Sequence, residues 1–195
     1  MIFLRRLPPF DYIAPRTLKE AVSALVKYKA EASLMAGGTD MLPKMKKREV
    51  VPKYLVSLKN VSGLAYIKED KSGLRIGAMT TIHDIEISPL IAKKYPILRD
   101  TSFVFASAQI RNLATVVGNL CNSDPSADMA SPLLALGASL NVSSSKKEKI
   151  IPLEDFFTGP HTNCLGAGEL VAEIQVPALQ PHTSGVYIKH TIRNA

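Results

Sequence analysis

The segment Ala36-Gly37-Gly38-Thr39-Asp40 has the residue types of an anion-binding turn. Two successive glycines allow backbone N–H groups to converge on one oxyanion, and a threonine hydroxyl adds a further donor. The segment lacks both the GxxxxGK[ST] pattern of a P-loop and the GxGxxG pattern of a Rossmann fold. An ordinary turn between a strand and a loop has the same composition, so both interpretations stay open at this point.

A second group of polar residues, 109–119, is followed closely by residues 124–128. Threonine, asparagine and aspartate side chains with a glycine in a largely apolar stretch are typical of a loop that lines a polar ligand. Each also has a purely structural interpretation: Asn119 as a turn former, Asp128 as a helix N-cap, and Arg111 as a surface cation. We predict a ligand-lining loop here and keep the structural interpretations as alternatives.

The rest of the sequence offers no set of catalytic side chains. The four histidines have no metal-ligand spacing, and no serine lies in a GxSxG motif. Cys121 and Cys164 form neither a CxxC pair nor a disulfide framework, so neither a metal nor an iron–sulfur cluster is expected on this chain. The pattern predicts a protein whose bound cofactor performs the chemistry.

Composition favours a folded protein with an anionic partner. Of 195 residues, 46% are hydrophobic and 21% charged, and the formal net charge is +7. The densest positive stretch, residues 44–53, directly follows the glycine turn, and a phosphate-bearing cofactor, an acidic protein surface or a solvated face would each explain it. Aromatic residues make up only 6% and no aromatic–basic motif occurs, so no nucleic acid is expected as a partner.

The sequence predicts neither a membrane span nor a secretory signal peptide. The uncharged stretch 129–142 contains serine, proline and asparagine and is shorter than the roughly 20 apolar residues of a membrane span. The amino-terminal residues carry arginines inside the apolar run, unlike a signal peptide. With only two cysteines, we expect a cytoplasmic protein with no membrane span.

Apolar periodicity predicts an α+β protein in which the two polar segments follow regular elements. Thr17 and Glu20 fit a capping box for a helix that ends near Lys29, and strands are expected at 33–36 and 54–58. Two hairpins are predicted, one pairing 64–67 with 74–79 and one pairing 140–142 with 149–151, and a further strand is predicted at 170–176. Four helices are predicted at 81–85, 88–95, 97–108 and 131–138.

The predicted elements divide the chain into three parts. A small α/β unit is placed at residues 1–59 and a larger α+β unit at 60–180. Residues 187–195 are predicted to begin another strand, so 181–195 are assigned to the start of a truncated C-terminal segment.

Four ordered segments together resemble the FAD-binding medium subunit of molybdenum hydroxylases, the xanthine dehydrogenase and carbon monoxide dehydrogenase family. They are AGGTD, QIRNLATVVGN, SDPSADMASPLLALGA and LGAGELVAEIQVP. The resemblance covers almost the whole chain and implies a vanillyl-alcohol-oxidase-type (PCMH-like) FAD-binding fold. In that fold a small α/β subdomain and a larger α+β subdomain hold FAD between them.

The resemblance also implies the cofactor-binding residues. Residues 35–41 would wrap the diphosphate, a second segment would complete the phosphate site, and Asp128 would bind hydroxyls of the ribityl chain. Phe105 and Ala106 would border the isoalloxazine ring on one side and Leu165 on the other, with Lys189 as a nearby cation. The full implied set is Met35, Ala36, Gly37, Gly38, Thr39, Asp40, Met41, Phe105, Ala106, Thr115, Gly118, Asn119, Asp128, Leu165 and Lys189.

The family's scheme implies partners. A large molybdopterin subunit would oxidise the substrate, a small subunit with two [2Fe–2S] clusters would relay electrons, and FAD here would pass them to NAD, a quinone or another acceptor. Molybdopterin and the clusters would belong to the partner subunits only.

Two departures from the family pattern are visible. Val117 stands where a glycine is usual, so a backbone position that favours φ > 0 is expected to lose that freedom. The chain is also expected to lack most of the family's C-terminal domain. An FAD-free assembly module and a stand-alone flavin-dependent reductase are therefore kept as alternatives.

Overall fold

In the computed structural model, which describes residues 6–190, the chain builds two main sheets. The first is parallel and has the strand order β1–β3–β2. Its strands are β1 (Asp11–Ile13), β2 (Ala32–Met35) and β3 (Tyr54–Ser57), and its helices are α1 (Leu18–Tyr28) and α2 (Met41–Lys47).

Helix α1 begins as the sequence predicts, although only half of the capping box forms. The Thr17 hydroxyl accepts a hydrogen bond from the Glu20 N–H, whereas the Glu20 carboxylate accepts from the N–H of Arg16 rather than from that of Thr17. The helix buries Ala21 and Val22 against the core. The predicted helix end near residue 29 and both strands of this unit are confirmed within one or two residues.

The second sheet is antiparallel, with the strand order β4–β5–β10–β6–β7. Its strands are β4 (Ile67–Asp70), β5 (Gly73–Gly77), β6 (Ser139–Ser143), β7 (Lys149–Pro152) and β10 (Leu170–Pro177), and a separate small hairpin consists of β8 (Phe157–Gly159) and β9 (Thr162–Asn163). Alternate residues such as Leu74, Ile76 and Ile174 are fully buried, so one face of this sheet forms the core. Among residues 6–190, β10 is the last strand along the chain, and the strand order places it at the centre of this sheet.

The segment between β5 and β6 is helical. It contains α3 (Ile82–Ile87), α4 (Pro89–Lys94), α5 (Pro96–Phe103), α6 (Ala108–Arg111), α7 (Val116–Asn122) and α8 (Ala130–Ala135). Pro96 occupies the first turn of α5, where its missing N–H costs no hydrogen bond, so the predicted break between α4 and α5 is confirmed. The predicted helix 97–108 is too long, because α5 ends at Phe103.

Three other predictions are wrong. Residues 109–119 are not a loop, because α6 and α7 occupy most of them and Val116, Val117 and Leu120 are buried by α7. The first hairpin strand is Ile67–Asp70 rather than 64–67, since the turn is only Lys71 and Ser72. Residues 187–190 form no strand, and residues 191–195 lie outside the described part.

The boundary between residues 59 and 60 stays a prediction. The two main sheets do lie on either side of it in the chain. One hydrophobic core nevertheless includes Val56 and Leu58 from before the boundary together with Ile76 and Ile174 from beyond it.

Candidate functional site

A cavity of about 340 Å³ lies where the first sheet, α7 and β10 meet. It is bounded by residues from both sides of the predicted boundary. Most of the residues proposed for cofactor binding line it: Met35, Ala36, Gly37, Gly38, Thr39, Asp40, Met41, Phe105, Thr115, Gly118, Asn119 and Leu165. Segments that are remote in the sequence are thus brought to one cleft.

The first wall of the cavity is the turn between β2 and α2. Gly38 has φ +76°, a left-handed conformation that glycine adopts without strain. The backbone N–H groups of residues 37–41 donate to no protein acceptor within residues 6–190. Because backbone donors are rarely left unpaired, this run of N–H groups suits an anion.

The first wall also touches the second. A Cβ atom on Gly37 would lie 1.9 Å from the carbonyl oxygen of Leu113, far inside van der Waals contact. Only glycine permits this approach of the two backbones.

The second wall is the beginning of α7. An isolated antiparallel bridge joins Thr115 to Thr81, and the N–H of Val116 donates to the carbonyl of Thr80 at 3.1 Å. The Thr115 hydroxyl then caps α7 by accepting from the N–H of Gly118 at 3.0 Å. A Cβ on Gly118 would lie 2.7 Å from that hydroxyl oxygen, so a side chain there would displace the cap.

The expected cost of Val117 is absent. Residue 117 lies in α7 with a negative φ, and its side chain is buried in the core. The position needs no left-handed conformation, so valine is compatible with this wall. Asn119 has a structural partner too, since its amide oxygen accepts from the N–H of Met129 at 3.2 Å.

The third wall contains Phe105, which is 7% exposed, with Leu165 also lining the cavity. Ala106 lies beside this wall without lining the cavity and has φ +40°, a rare conformation for a residue with a side chain. Arg111 is not a free surface cation: its guanidinium donates to the carbonyl of Phe105 at 3.1 Å and to that of Ala106 at 3.3 Å. The same side chain forms an ion pair with Glu86 at 3.0 Å.

The other two residues of the implied set lie in a different cleft. Asp128 and Lys189 form an ion pair at 2.8 Å, and the Tyr187 hydroxyl donates to Asp128 at 2.9 Å. Burial, together with this hydrogen bond, raises the pKa of Tyr187 to about 12. Asp128 is also no N-cap, because α8 has Met129 at that position and no side-chain cap. Roles for both residues in cofactor binding stay predictions.

Sequence reasoning missed five polar residues that line the cavity: Lys44, Asn122, His161, Asn163 and Glu169. Lys44 belongs to the positive stretch that follows the glycine turn, which was the one available signal. Its ammonium donates to the side-chain oxygen of Asn122, so the pair connects α2 to α7. The Asn163 side chain binds the carbonyl of Cys121 at 3.0 Å and secures β9 near the same cleft.

Two carboxylates also line the cavity. Burial raises the pKa of Asp40, an effect that Lys44 opposes and Asp124 increases. Glu169 behaves oppositely: its hydrogen bond with Lys149, at 2.8 Å, lowers its pKa below the ordinary 4.5 against the opposing effect of burial.

The lowered pKa of Glu169 predicts how the stability of the protein depends on pH. The pKa of Glu169 is lower in the folded than in the unfolded chain. Its ionised carboxylate therefore stabilises the fold at pH values above the pKa of the unfolded chain, and this stabilisation is lost as the pH falls through the pKa of the folded chain. We expect the free energy of unfolding of Glu169→Gln to fall less than that of the wild type between about pH 5 and about pH 3 in urea titrations. Glu154→Gln, at an exposed site, is the control and should follow the wild type. Parallel curves for Glu169→Gln and the wild type would contradict the prediction.

No group of three or more His, Cys, Asp or Glu side chains within residues 6–190 is arranged to hold a metal ion. In the same range, none of the helices has the length and apolar character that a bilayer crossing requires.

A family profile described as "FAD binding domain in molybdopterin dehydrogenase" matches residues 8–179. The chain belongs to this family. The carbon monoxide dehydrogenase medium chain of Afipia carboxidovorans is 36% identical over 168 residues, which are 86% of this chain and 58% of that protein. The glyceraldehyde dehydrogenase medium chain of Sulfolobus acidocaldarius is 34% identical over 188 residues, 96% of this chain and 66% of that one. The chain thus spans less than two thirds of these relatives.

A solved carbon monoxide dehydrogenase from Hydrogenophaga pseudoflava has the same fold, with a TM-score of 0.93 and 32% identity over 96% of this chain and 66% of that one. The family resemblance and the α+β FAD-binding fold predicted from the sequence are therefore confirmed. FAD is the cofactor of this family.

Proposed function

We propose that this chain binds FAD in the cavity between the glycine turn and α7, as part of the medium subunit of a molybdenum hydroxylase. The observation that carries the proposal is the meeting of Gly37–Gly38 and Thr115–Gly118 in one cavity. These segments are far apart in the sequence, and the fold brings together the donors that a diphosphate needs.

The residues fit the cofactor in kind. The unpaired N–H groups of residues 37–41 would bind the diphosphate, and the Thr115 cap would keep α7 at the correct distance from it. Phe105 and Leu165 would form apolar walls for the ring and exclude water. Bound FAD supplies the redox chemistry, since it accepts single electrons from iron–sulfur centres and can deliver two to a carrier.

The similarity to medium chains supports a proposal about the partners. Medium chains of carbon monoxide and glyceraldehyde dehydrogenases are similar to this chain over most of its length. We propose a large molybdopterin subunit and a small [2Fe–2S] subunit as partners, and NAD or a quinone as the electron acceptor. Anaerobic addition of the oxidisable substrate to the assembled complex should bleach the flavin absorbance. An unbleached flavin in a complex whose clusters are reduced would contradict the electron route.

The decisive test is FAD binding by the chain itself. Purified chain incubated with FAD and passed through a desalting column should retain the flavin absorbance at about one equivalent by mass action. Absence of retained flavin would favour the alternative of an FAD-free assembly module. The structure gives no support to that alternative through Val117, because residue 117 is helical.

Gly38→Val is expected to lower the affinity for FAD by about tenfold or more, because a β-branched residue at φ +76° is strained by about 1–2 kcal/mol and alters the N–H groups beside it. The measurement is quenching of FAD fluorescence in a titration. Gly63→Val is the matched control: Gly63 has φ +75°, lies in open space and does not line the cavity. Equal affinities in the two variants would refute the assignment of the glycine turn.

A further inference from the structure

Lys44 carries the permanent positive charge of the cavity. The other charged or titratable side chains that line it are Asp40, Glu169, His161 and Cys121. Glu169 is already paired with Lys149, whereas the exposed Asp40 leaves a carboxylate beside the glycine turn. A diphosphate bound there would be repelled by the Asp40 carboxylate. Among the lining residues, Lys44 is the cation that can compensate for this repulsion.

The position of Lys44 suits this role. Its N–H donates to the carbonyl of Asp40 at 3.1 Å, so Lys44 lies one helical turn of α2 beyond the end of the glycine turn. Its ammonium reaches across to the side-chain oxygen of Asn122 at the far end of α7. An ammonium has three donors, and this hydrogen bond uses one of them.

We infer that Lys44 binds the diphosphate of the cofactor and sets the affinity of this chain for it. The inference rests on the proposed function. The Asn122 amide holds the ammonium at the cavity while two donors remain for phosphate oxygens. The positive charge of Lys44 offsets the negative charge of Asp40, which would otherwise repel an anion at the glycine turn.

The test is the affinity for FAD of wild type, Lys44→Gln, Lys44→Arg and Lys47→Gln. Lys44→Gln should weaken binding by about tenfold or more, because a charge-assisted hydrogen bond to phosphate is lost. Lys44→Arg should retain most of the affinity. Lys47→Gln removes the same charge from an exposed side chain paired with Glu49, so it should change the affinity by less than about twofold.

Salt dependence separates a counter-charge from a structural role. The difference in affinity between wild type and Lys44→Gln should shrink as KCl is raised from about 0.01 M to about 0.5 M, because ions screen the charge. Should Lys44 act only as a strut between α2 and α7, Asn122→Ala would weaken binding as much as Lys44→Gln, with no difference in salt dependence. That result would overturn the inference.

The failure of the inference is distinguishable from the failure of the proposed function. If the wild type retains no FAD, the proposed function itself fails. If the wild type binds FAD and Lys44→Gln binds it as tightly as Lys47→Gln does, the FAD site stands and only the role of Lys44 is rejected. Binding of ADP should follow the same order of variants, since ADP carries the diphosphate without the flavin.

Discussion

Gly37→Ala is expected to abolish FAD retention and to lower the free energy of unfolding by about 3 kcal/mol, at the upper end of overpacking penalties. The added methyl group would lie 1.9 Å from the carbonyl oxygen of Leu113 and 3.2 Å from the Cα of Ala114. Both neighbours are backbone atoms, so no side-chain rotation relieves the contact. The two walls of the cavity must therefore separate, and the donors on each wall no longer reach one diphosphate.

Gly166→Ala is the matched control for this substitution. A Cβ there would lie 3.4 Å from a carboxylate oxygen of Glu169, an ordinary van der Waals distance, and the backbone φ is not left-handed. Gly166 does not line the cavity. Urea unfolding and FAD titration should place this variant close to wild type. If Gly37→Ala retains FAD as well as Gly166→Ala, the two backbones do not need their close contact.

The effect is large because the contact connects the two parts of the chain. Gly37 follows the first sheet, while Leu113 precedes α7, which is hydrogen-bonded through Thr115 and Val116 to the loop after β5. A displacement at residue 37 is therefore transmitted to Thr115 and to the start of α7. Stability and cofactor affinity should fall together at this residue, whereas they separate at Gly63.

The sequence predicts the local features of this site well. The Thr17 hydroxyl cap and the Gly37–Gly38 turn depend on residues close to each other in the chain, and both form as expected. The segment 170–176 also forms a strand, but β10 is buried at nearly every position instead of at alternate ones, because it lies at the centre of its sheet. The polar side chains of residues 109–119 obscured α6, which buries no residue, and α7, which buries only three. Short helices are held by tertiary contacts rather than by propensity, so their pattern is weak in a sequence.

Contacts between remote residues were not predictable in the same way. Lys44 meets Asn122, and Asp128 meets Lys189, only because the fold brings them together. No spacing rule connects such pairs. The same limit applies to Arg111. The sequence alone allows it to be a surface cation, whereas in the structure it binds the backbone beside the cavity.

Arg111 stabilises the conformation of the Phe105–Ala106 wall. Its side chain is 15% exposed, as is that of Glu86, and it makes two hydrogen bonds to the carboxylate and two to backbone carbonyls. Ala106 at φ +40° costs about 1–2 kcal/mol relative to a right-handed conformation, so the wall needs such an external restraint. Arg111→Met removes the cation and leaves the largely buried Glu86 carboxylate with only His83 as a partner, at 3.3 Å.

We expect Arg111→Met to lower the free energy of unfolding by about 3 kcal/mol, in the range found when one partner of a buried ion pair is removed. Arg111→Lys should recover only part of the loss, because an ammonium cannot bind a carboxylate and two carbonyls in one planar arrangement. FAD affinity should fall with Arg111→Met, since Phe105 is no longer held at the cavity. Arg99→Met would not serve as a control, because the partly buried Arg99 contacts Phe103 and the carbonyl of Glu86. Lys93→Met, at an exposed position of α4, is the appropriate control.

A double-mutant cycle with Ala106→Gly tests the physical reason directly. Glycine occupies φ +40° without the strain of alanine, so the wall then depends less on the guanidinium. Arg111→Met should therefore lower the affinity for FAD less in the Ala106→Gly background than in the wild type, with a coupling free energy of about 1 kcal/mol. The loss of stability from the unpaired Glu86 should persist in both backgrounds, because that carboxylate is unaffected by residue 106. Strictly additive effects on FAD affinity would show that Arg111 acts on the cavity through some route other than the left-handed residue beside Phe105.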